Sequence, residues 1–351
     1  MPLDHPLANL VHHSTGQVDR PSPSSAEAIA ALYGHSLLQN SGIPLDLNWV
    51  QEVRVNTSAV ERRAQTEVAR RTVKMEWQAA WLLRAIACMD LTTLSGDDTD
   101  DRVRRLCAKA RHPVQQELVE RLGIERLGIK VAAVCVYHLF IETALQALAG
   151  SGIHVAAVST GFPAGLSPFA ERVAEIRRSA EAGAQEIDVV ITRGHVFGAR
   201  WQALYDEIAT FKQACGARHM KVILGSGDLL TLRNVARASL VAMMAGADFI
   251  KTSTGKEPTN ATLPVSLVMA RAIREYAQRT GMAVGFKPAG GIRTAKQSLD
   301  WLALMKEELG DSWLRAEMFR FGASGLLGDI ERQLEHQATG RYSAEYRHPV
   351  A

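Results

Sequence analysis

Cysteine is scarce in this chain. There are four in 351 residues, Cys88, Cys107, Cys135 and Cys215, and none is spaced as CxxC. So few thiols in a chain of this size argue against a disulfide-stapled secreted scaffold, and reduced thiols in the cytosol are expected. Long apolar runs are missing as well. None approaches the ~18 residues that cross a bilayer, and the first thirty residues hold no apolar signal core, so no membrane partner is expected. Charge of one sign does not dominate: 40 Lys and Arg stand against 37 Asp and Glu, formally +3. The basic residues are scattered along helix-like faces such as RVRR, which argues against a nucleic-acid partner. No GxGxxG follows the first apolar run, which counts against an open doubly wound sheet binding a dinucleotide. The eleven histidines form no ligand-spaced pair, so no metal and no zinc-assisted chemistry is expected.

What is present is a rhythm. After a Ser-, Pro- and His-rich start, expected to be a flexible extension over 1–45, Asp46 opens DLNWVQEV as a plausible helix cap. A charged, periodic helical segment follows over 46–84. Short apolar runs then alternate with amphipathic helical stretches. The expected strands are 85–91, 130–137, 154–159, 186–191, 220–224, 248–252, 283–287 and 318–324. Eight strands alternating with helices predict an α/β fold, a single (β/α)8 TIM barrel over 85–335 with an N-terminal helical extension and a tail over 336–351. The EAGA and MAGA segments place Gly183 and Gly246 just past helix ends, as structural caps.

In such a barrel the chemistry sits at the C-terminal ends of the strands. The polar residues that close the apolar runs are Asp90, Thr92, Cys135, Asp188, Lys251 and Lys287. A solvated lysine is protonated at neutral pH and is no nucleophile. Lys251 and Lys287 close neighbouring strands roughly 5 Å apart, near enough for each to push the other toward neutrality, provided both are partly desolvated. The plainer reading is a solvated rim lysine on each strand. Asp188, alternating with apolar residues, points either into the barrel or into the helical layer. It serves as a proton-relay carboxylate or as a buried salt-bridge partner, roles that one contact satisfies together. Glycine-rich turns in KPAGGIRT and RFGASGLLGDIERQL, with Lys256 in TSTGK, are suited to a phosphate group.

The stretches MDLTTLSGDDT, EIDVVI, DFIKTSTGK and VGFKPAGGIRTA, in this order, with KMEWQAAWLL at 74–83, resemble the deoxyribose-phosphate aldolase family of class I aldolases, in its longer eukaryotic-type branch. The resemblance runs from about Asp46 to Tyr342. It implies a TIM barrel that cleaves 2-deoxy-D-ribose 5-phosphate reversibly to D-glyceraldehyde 3-phosphate and acetaldehyde, without metal or organic cofactor, as a homodimer. By position it implies Lys251 as the Schiff-base lysine, Lys287 as the second lysine and Asp188 as the acid/base carboxylate. Asp90, Thr92, Cys135 and Thr254 would line the substrate cavity. Gly255, Lys256, Gly290, Gly291, Gly322 and Ser324 would form the phosphate end. His138, Gly225 and Gly325 depart from the family pattern. A different Schiff-base sugar-phosphate aldolase, a transaldolase, and a catalytically silent sugar-phosphate binder are the other readings.

Overall fold

The computed structural model describes residues 39–70 and 73–350. Most of the expected extension over 1–45 lies outside the described residues; 39–45 run against the barrel. There Asn40 donates its side-chain amide to the Met243 and Ala247 carbonyls and its backbone N–H to Asp248.

Eight parallel strands form the centre: β1 (Met89–Thr92), β2 (Ala133–Tyr137), β3 (His154–Ser159), β4 (Glu186–Val190), β5 (His219–Ile223), β6 (Phe249–Lys251), β7 (Gly285–Lys287) and β8 (Phe321–Ala323). They pair in the order β7-β6-β5-β4-β3-β2-β1-β8. Isolated parallel bridges, Phe286 to Phe319 and Ala289 to Gly322, bring β7 alongside the β8 segment, so the ring is nearly closed. With helices around the outside, this is a (β/α)8 TIM barrel. Strands buried on both faces favour continuous apolar runs, which makes the longer ones, AVCVY in β2 and HVAAVS in β3, readable as short blocks of Val and Ala.

Most strand boundaries lie inside those expected, while β3 matches, β1 ends one residue later and β5 is shifted one residue earlier. The largest change is at β1, where 85–87 end the helix Met75–Ala87 and the strand begins at Met89. The reason is local: Ala85 and Ile86 are wholly buried on a helix face, a position that an apolar run alone cannot distinguish from a strand. Asp46 caps the helix Leu47–Glu52 by accepting from the Trp49 N–H. The helices Thr57–Arg70 and Met75–Ala87 pack outside the barrel helices Leu263–Thr280 and Ala295–Leu309, and the second of them also meets Gly325–Thr339. Gly183 and Gly246 lie just past helices at φ +100° and +96°, where a left-handed residue ends the ladder.

The barrel interior is divided. Cys135, Ala156 and Val158 join Leu94 in a small apolar cluster on one side. The remaining side carries Asp90, Glu186, Asp188, Lys221, Lys251, Lys287 and Arg320, all almost wholly buried. Seven formal charges inside a barrel are tolerated only if each is paired.

Candidate active site

Register brings these charges together. Asp188 on β4 is the Cα partner of Lys221 on β5, and Lys251 on β6 is the partner of Lys287 on β7. Strand β6 is held at its lower end by Asp248, whose carboxylate accepts from Lys212 Nζ at 2.6 Å, the Met220 N–H at 2.8 Å and the Asn40 N–H at 2.7 Å. Lys251 stands three residues further up that strand.

One carboxylate organises the centre. Asp188 Oδ2 accepts from Lys251 Nζ and Lys287 Nζ, each at 2.8 Å, and Oδ1 accepts from Lys221 Nζ at 2.9 Å. Lys287 also donates to Asp90 Oδ2, and Arg320 bridges Asp90 Oδ1 to Glu186. Lys221 additionally contacts Glu186. Three carboxylates and four cations thus form one network, joined at Glu186 by His154 Nδ1 at 2.7 Å.

The electrostatic consequence differs for each amine. Burial pushes Lys251 below its ordinary value, and the Lys287 charge adds to this, against the pull of Asp188. Burial would push Lys287 down too, but Asp188 and Asp90 outweigh it and hold its proton firmly. Lys221 is raised in the same way, with burial opposed by Asp188, Glu186 and Asp90. The mutual push toward neutrality expected of the two lysines is therefore one-way: Lys287 stays charged and Lys251 is the amine whose proton is loosened. For Asp188, burial is overcome by Lys221, Lys251 and Lys287, which keep its carboxyl well below the usual carboxylate range.

A cavity of about 780 Å³ opens above this network. Thr92, Lys251, Thr254, Gly255, Lys256, Gly290, Gly291, Gly322 and Ser324 line it. Asp90, Cys135, Asp188 and Lys287 lie beneath its floor, fully buried. Cys135 is held raised by burial, with Lys287 opposing, so its thiol has little nucleophilic character. The backbone N–H of Gly255 donates to Glu257 Oε2, and that of Gly290 to the Gly322 carbonyl, so neither of these two donors faces the cavity unpartnered. Gly325 opens the 15-residue helix Gly325–Thr339, and Ser324 at its start makes no side-chain cap bond, which leaves first-turn N–H groups for an anion.

Sequence reasoning missed several residues here. Lys221, Glu186 and Arg320 sit inside apolar runs, MKVIL, EIDVVI and MFRFGAS. A charge within a run buried on both faces must be paired, and that signal was readable. Arg293 and Arg332 line the cavity at the Gly291 and Ser324 side, adding cations to Lys256. His348, Pro349 and Val350 also line it, which no local pattern announces. Neither Tyr342 nor Tyr346 does so; both are exposed. Among the described residues, no cluster of His, Cys, Asp or Glu is arranged to hold a metal ion, and no helix is long and apolar enough to cross a membrane.

A buried amine with a loosened proton, beside a charged neighbour and an anion-friendly rim at the mouth of a TIM barrel, is the layout of an enzyme acting on a carbonyl compound. Residues 84–327 match the model of the DeoC/LacD family of aldolases. The chain is 57% identical over 314 residues to the deoxyribose-phosphate aldolase of Homo sapiens, covering 89% of this chain and 99% of that one. It is 58% identical over 312 residues to the deoxyribose-phosphate aldolase of Mus musculus, covering 88% and 98%. Among solved structures, a tetrameric deoxyribose phosphate aldolase from Aeropyrum pernix matches with a TM-score of 0.54 at 21% identity, over 77% of this chain and 100% of that one, a likeness of fold. The chain belongs to the DeoC/LacD aldolase family, and its chemistry is aldol cleavage and condensation.

Proposed function

We propose that the protein cleaves 2-deoxy-D-ribose 5-phosphate reversibly to D-glyceraldehyde 3-phosphate and acetaldehyde through a Schiff base on Lys251. The observation that supports this most is the Lys251–Asp188–Lys287 triangle, in which one amine is loosened and its neighbour is kept charged.

Neutral Lys251 adds to C1 of the open-chain aldehyde, and the carbinolamine oxygen leaves as water, taking its proton through a water relay while the Lys287 charge stabilises the departing oxygen. The iminium then accepts the electrons of the C2–C3 bond as that bond breaks. The C3 hydroxyl gives up its proton through a water oriented by Asp188 and becomes the aldehyde of glyceraldehyde phosphate. A carboxylate held so low is a weak base by itself, so Asp188 acts by orienting water and fixing both amines. The enamine takes a proton at its terminal carbon through the same relay, and hydrolysis frees acetaldehyde and Lys251. Asp90 holds Lys287 from below, Thr92 and Thr254 flank the sugar, and Cys135 forms part of the apolar side of the floor. Lys256 and the turns at Gly290–Gly291 and Gly322–Ser324, with Arg293 and Arg332, hold the phosphate. Binding at that end orients the reacting carbon.

Incubation with acetaldehyde and a hydride reductant, followed by peptide mapping, tests this reading. A two-carbon adduct confined to Lys251, suppressed by deoxyribose phosphate, is expected; adducts spread over surface lysines would overturn it. The four buried free cysteines fit a reducing compartment, and we assign the protein to the cytosol. A homodimer is the expected assembly on the family resemblance, and sedimentation equilibrium decides between it and a higher state.

A further inference from the structure

The turn that follows Lys251 is already occupied by a carboxylate of the chain itself. Glu257, whose side chain is 5% exposed, accepts from the Thr254 N–H at 3.0 Å, the Gly255 N–H at 3.2 Å and the Thr254 hydroxyl at 2.7 Å, all on Oε2. The Thr254 hydroxyl in turn accepts the Lys256 N–H at 3.1 Å, and Asn260 donates to the Glu257 carbonyl at 2.9 Å. Successive backbone N–H groups converging on one point make a concavity suited to an anion. Here the anion is internal.

Arg193, on the short helix Arg193–Phe197 after β4, backs this carboxylate. Its Nη1 lies 3.9 Å from Glu257 Oε1, its Nε lies 3.4 Å from Asp228 Oδ2, and its Nη2 donates to the Ala164 carbonyl at 3.2 Å. Arg193 therefore joins the loops after β3, β4, β5 and β6. It fits because residue 225 is glycine: an ideal Cβ there would lie 2.8 Å from Arg193 Cδ and Nη1, and φ is +65°.

We infer that Glu257, backed by Arg193, is a positioning residue that shapes the turn between Lys251 and Lys256 by filling its backbone donors, and so leaves the substrate's phosphate to Lys256 and the turns after β7 and β8. This rests on the proposed reading of the cavity as a phosphosugar site. Glu257 touches no reacting atom; it acts through Thr254, Gly255 and Lys256. Removing its charge loosens the turn that carries Lys256, which a phosphorylated substrate senses more than an unphosphorylated one.

The experiment compares kcat and KM for 2-deoxyribose 5-phosphate and for 2-deoxyribose in the wild type, Glu257→Gln and Thr254→Val, the last removing one donor to the carboxylate while keeping the side chain's shape. For Glu257→Gln, KM for the phosphorylated sugar is expected to rise about tenfold. Its kcat/KM should fall by a factor at least five times larger than that for the unphosphorylated sugar. Thr254→Val should show the same split, smaller. In an Arg193→Ala background the Glu257→Gln effect should shrink, since the two act together. Equal losses on both substrates, a fall in kcat alone, or no change would overturn the inference while leaving the function intact. A wild type with no preference for the phosphorylated sugar would overturn the phosphosugar reading, and this inference with it.

Discussion

Lys251 and Lys287 are direct register partners across β6 and β7, and their amines share a single oxygen, Asp188 Oδ2, at 2.8 Å each. Two ammonium groups so close would repel strongly, and the network resolves the conflict by unequal support. Lys287 has a second carboxylate, Asp90, and Lys251 has none. The proton that is easier to remove therefore belongs to Lys251, the amine that reaches the cavity.

Replacing Lys287 by Met removes both the charge that helps loosen Lys251 and the charge beside the departing carbinolamine oxygen. The acidic limb of the pH–activity profile should move to higher pH. The sign follows from the cation: without it, the protonated form of Lys251 loses a repulsive neighbour and its pKa rises. Turnover at neutral pH should fall by about a hundredfold, the usual scale for removing one preorganised group that stabilises developing charge. A pH–rate series on both proteins checks this, and an unmoved acidic limb would remove Lys287's electrostatic role.

Lys221 faces three carboxylates, Asp90, Glu186 and Asp188, with no exposed surface of its own. Lys221→Met leaves those carboxylates short of one buried cation, so unfolding should become easier by about 3 kcal/mol, the scale for breaking a buried pair from one side. Urea denaturation measures it. Arg320 continues to hold Glu186, so the fold should survive in the absence of denaturant.

Acid should destabilise the barrel from its centre. Asp90, Glu186 and Asp188 are all held below their ordinary values, with burial opposing and the neighbouring cations prevailing. Groups depressed on folding stabilise the folded state above their unfolded pKa and lose that contribution as pH falls toward the folded one. The thermal midpoint should thus be steady near neutrality and drop as pH goes below about 4. In Lys221→Met the drop should begin at the same pH but be smaller and level off at higher pH, because the folded carboxyls then lie nearer the unfolded values that set its onset. Calorimetry across pH 3–7, a range set to bracket roughly the ordinary carboxylate values, reads both curves.

The barrel was legible because each strand is a short apolar block between helix-length stretches, and the lysines because they close two such blocks. The one-way character of the pair was not, since it depends on Asp90, nearly two hundred residues before Lys287 in sequence and adjacent only through the β1–β8 and β7–β8 contacts. Lys221 carries a local signal, a charge inside a buried run, but it does not close its strand as the other two lysines do. Glu257 looks like an ordinary exposed loop glutamate in TSTGKEPTN; only the fold of the turn sends its carboxylate back onto Thr254 and Gly255. The terminal residues at the cavity wall were beyond local reading for the same reason, since nothing in YRHPV states where it docks.

That docking makes the last prediction. His348 is buried, with Nε2 2.7 Å from Glu335 Oε2, and Glu335 also meets Arg347 at 3.2 Å. These contacts place His348, Pro349 and Val350 against the cavity on the side of Asp329 and Arg332. Residue 328 lies beneath them, and an ideal Cβ there would stand 3.0 Å from the His348 carbonyl oxygen. Removing the residues after Arg347 should open this wall to water and weaken phosphosugar binding, raising KM by about tenfold, the factor that ~1.4 kcal/mol represents. Acetaldehyde has no phosphate to reach that wall, so its trapping on Lys251 should be affected far less. Gly328→Val, which keeps every tail residue but crowds the carbonyl above it, should raise KM in the same direction. If truncation and crowding both leave KM unchanged while the protein stays folded, the terminal residues rest on the cavity without contributing to it.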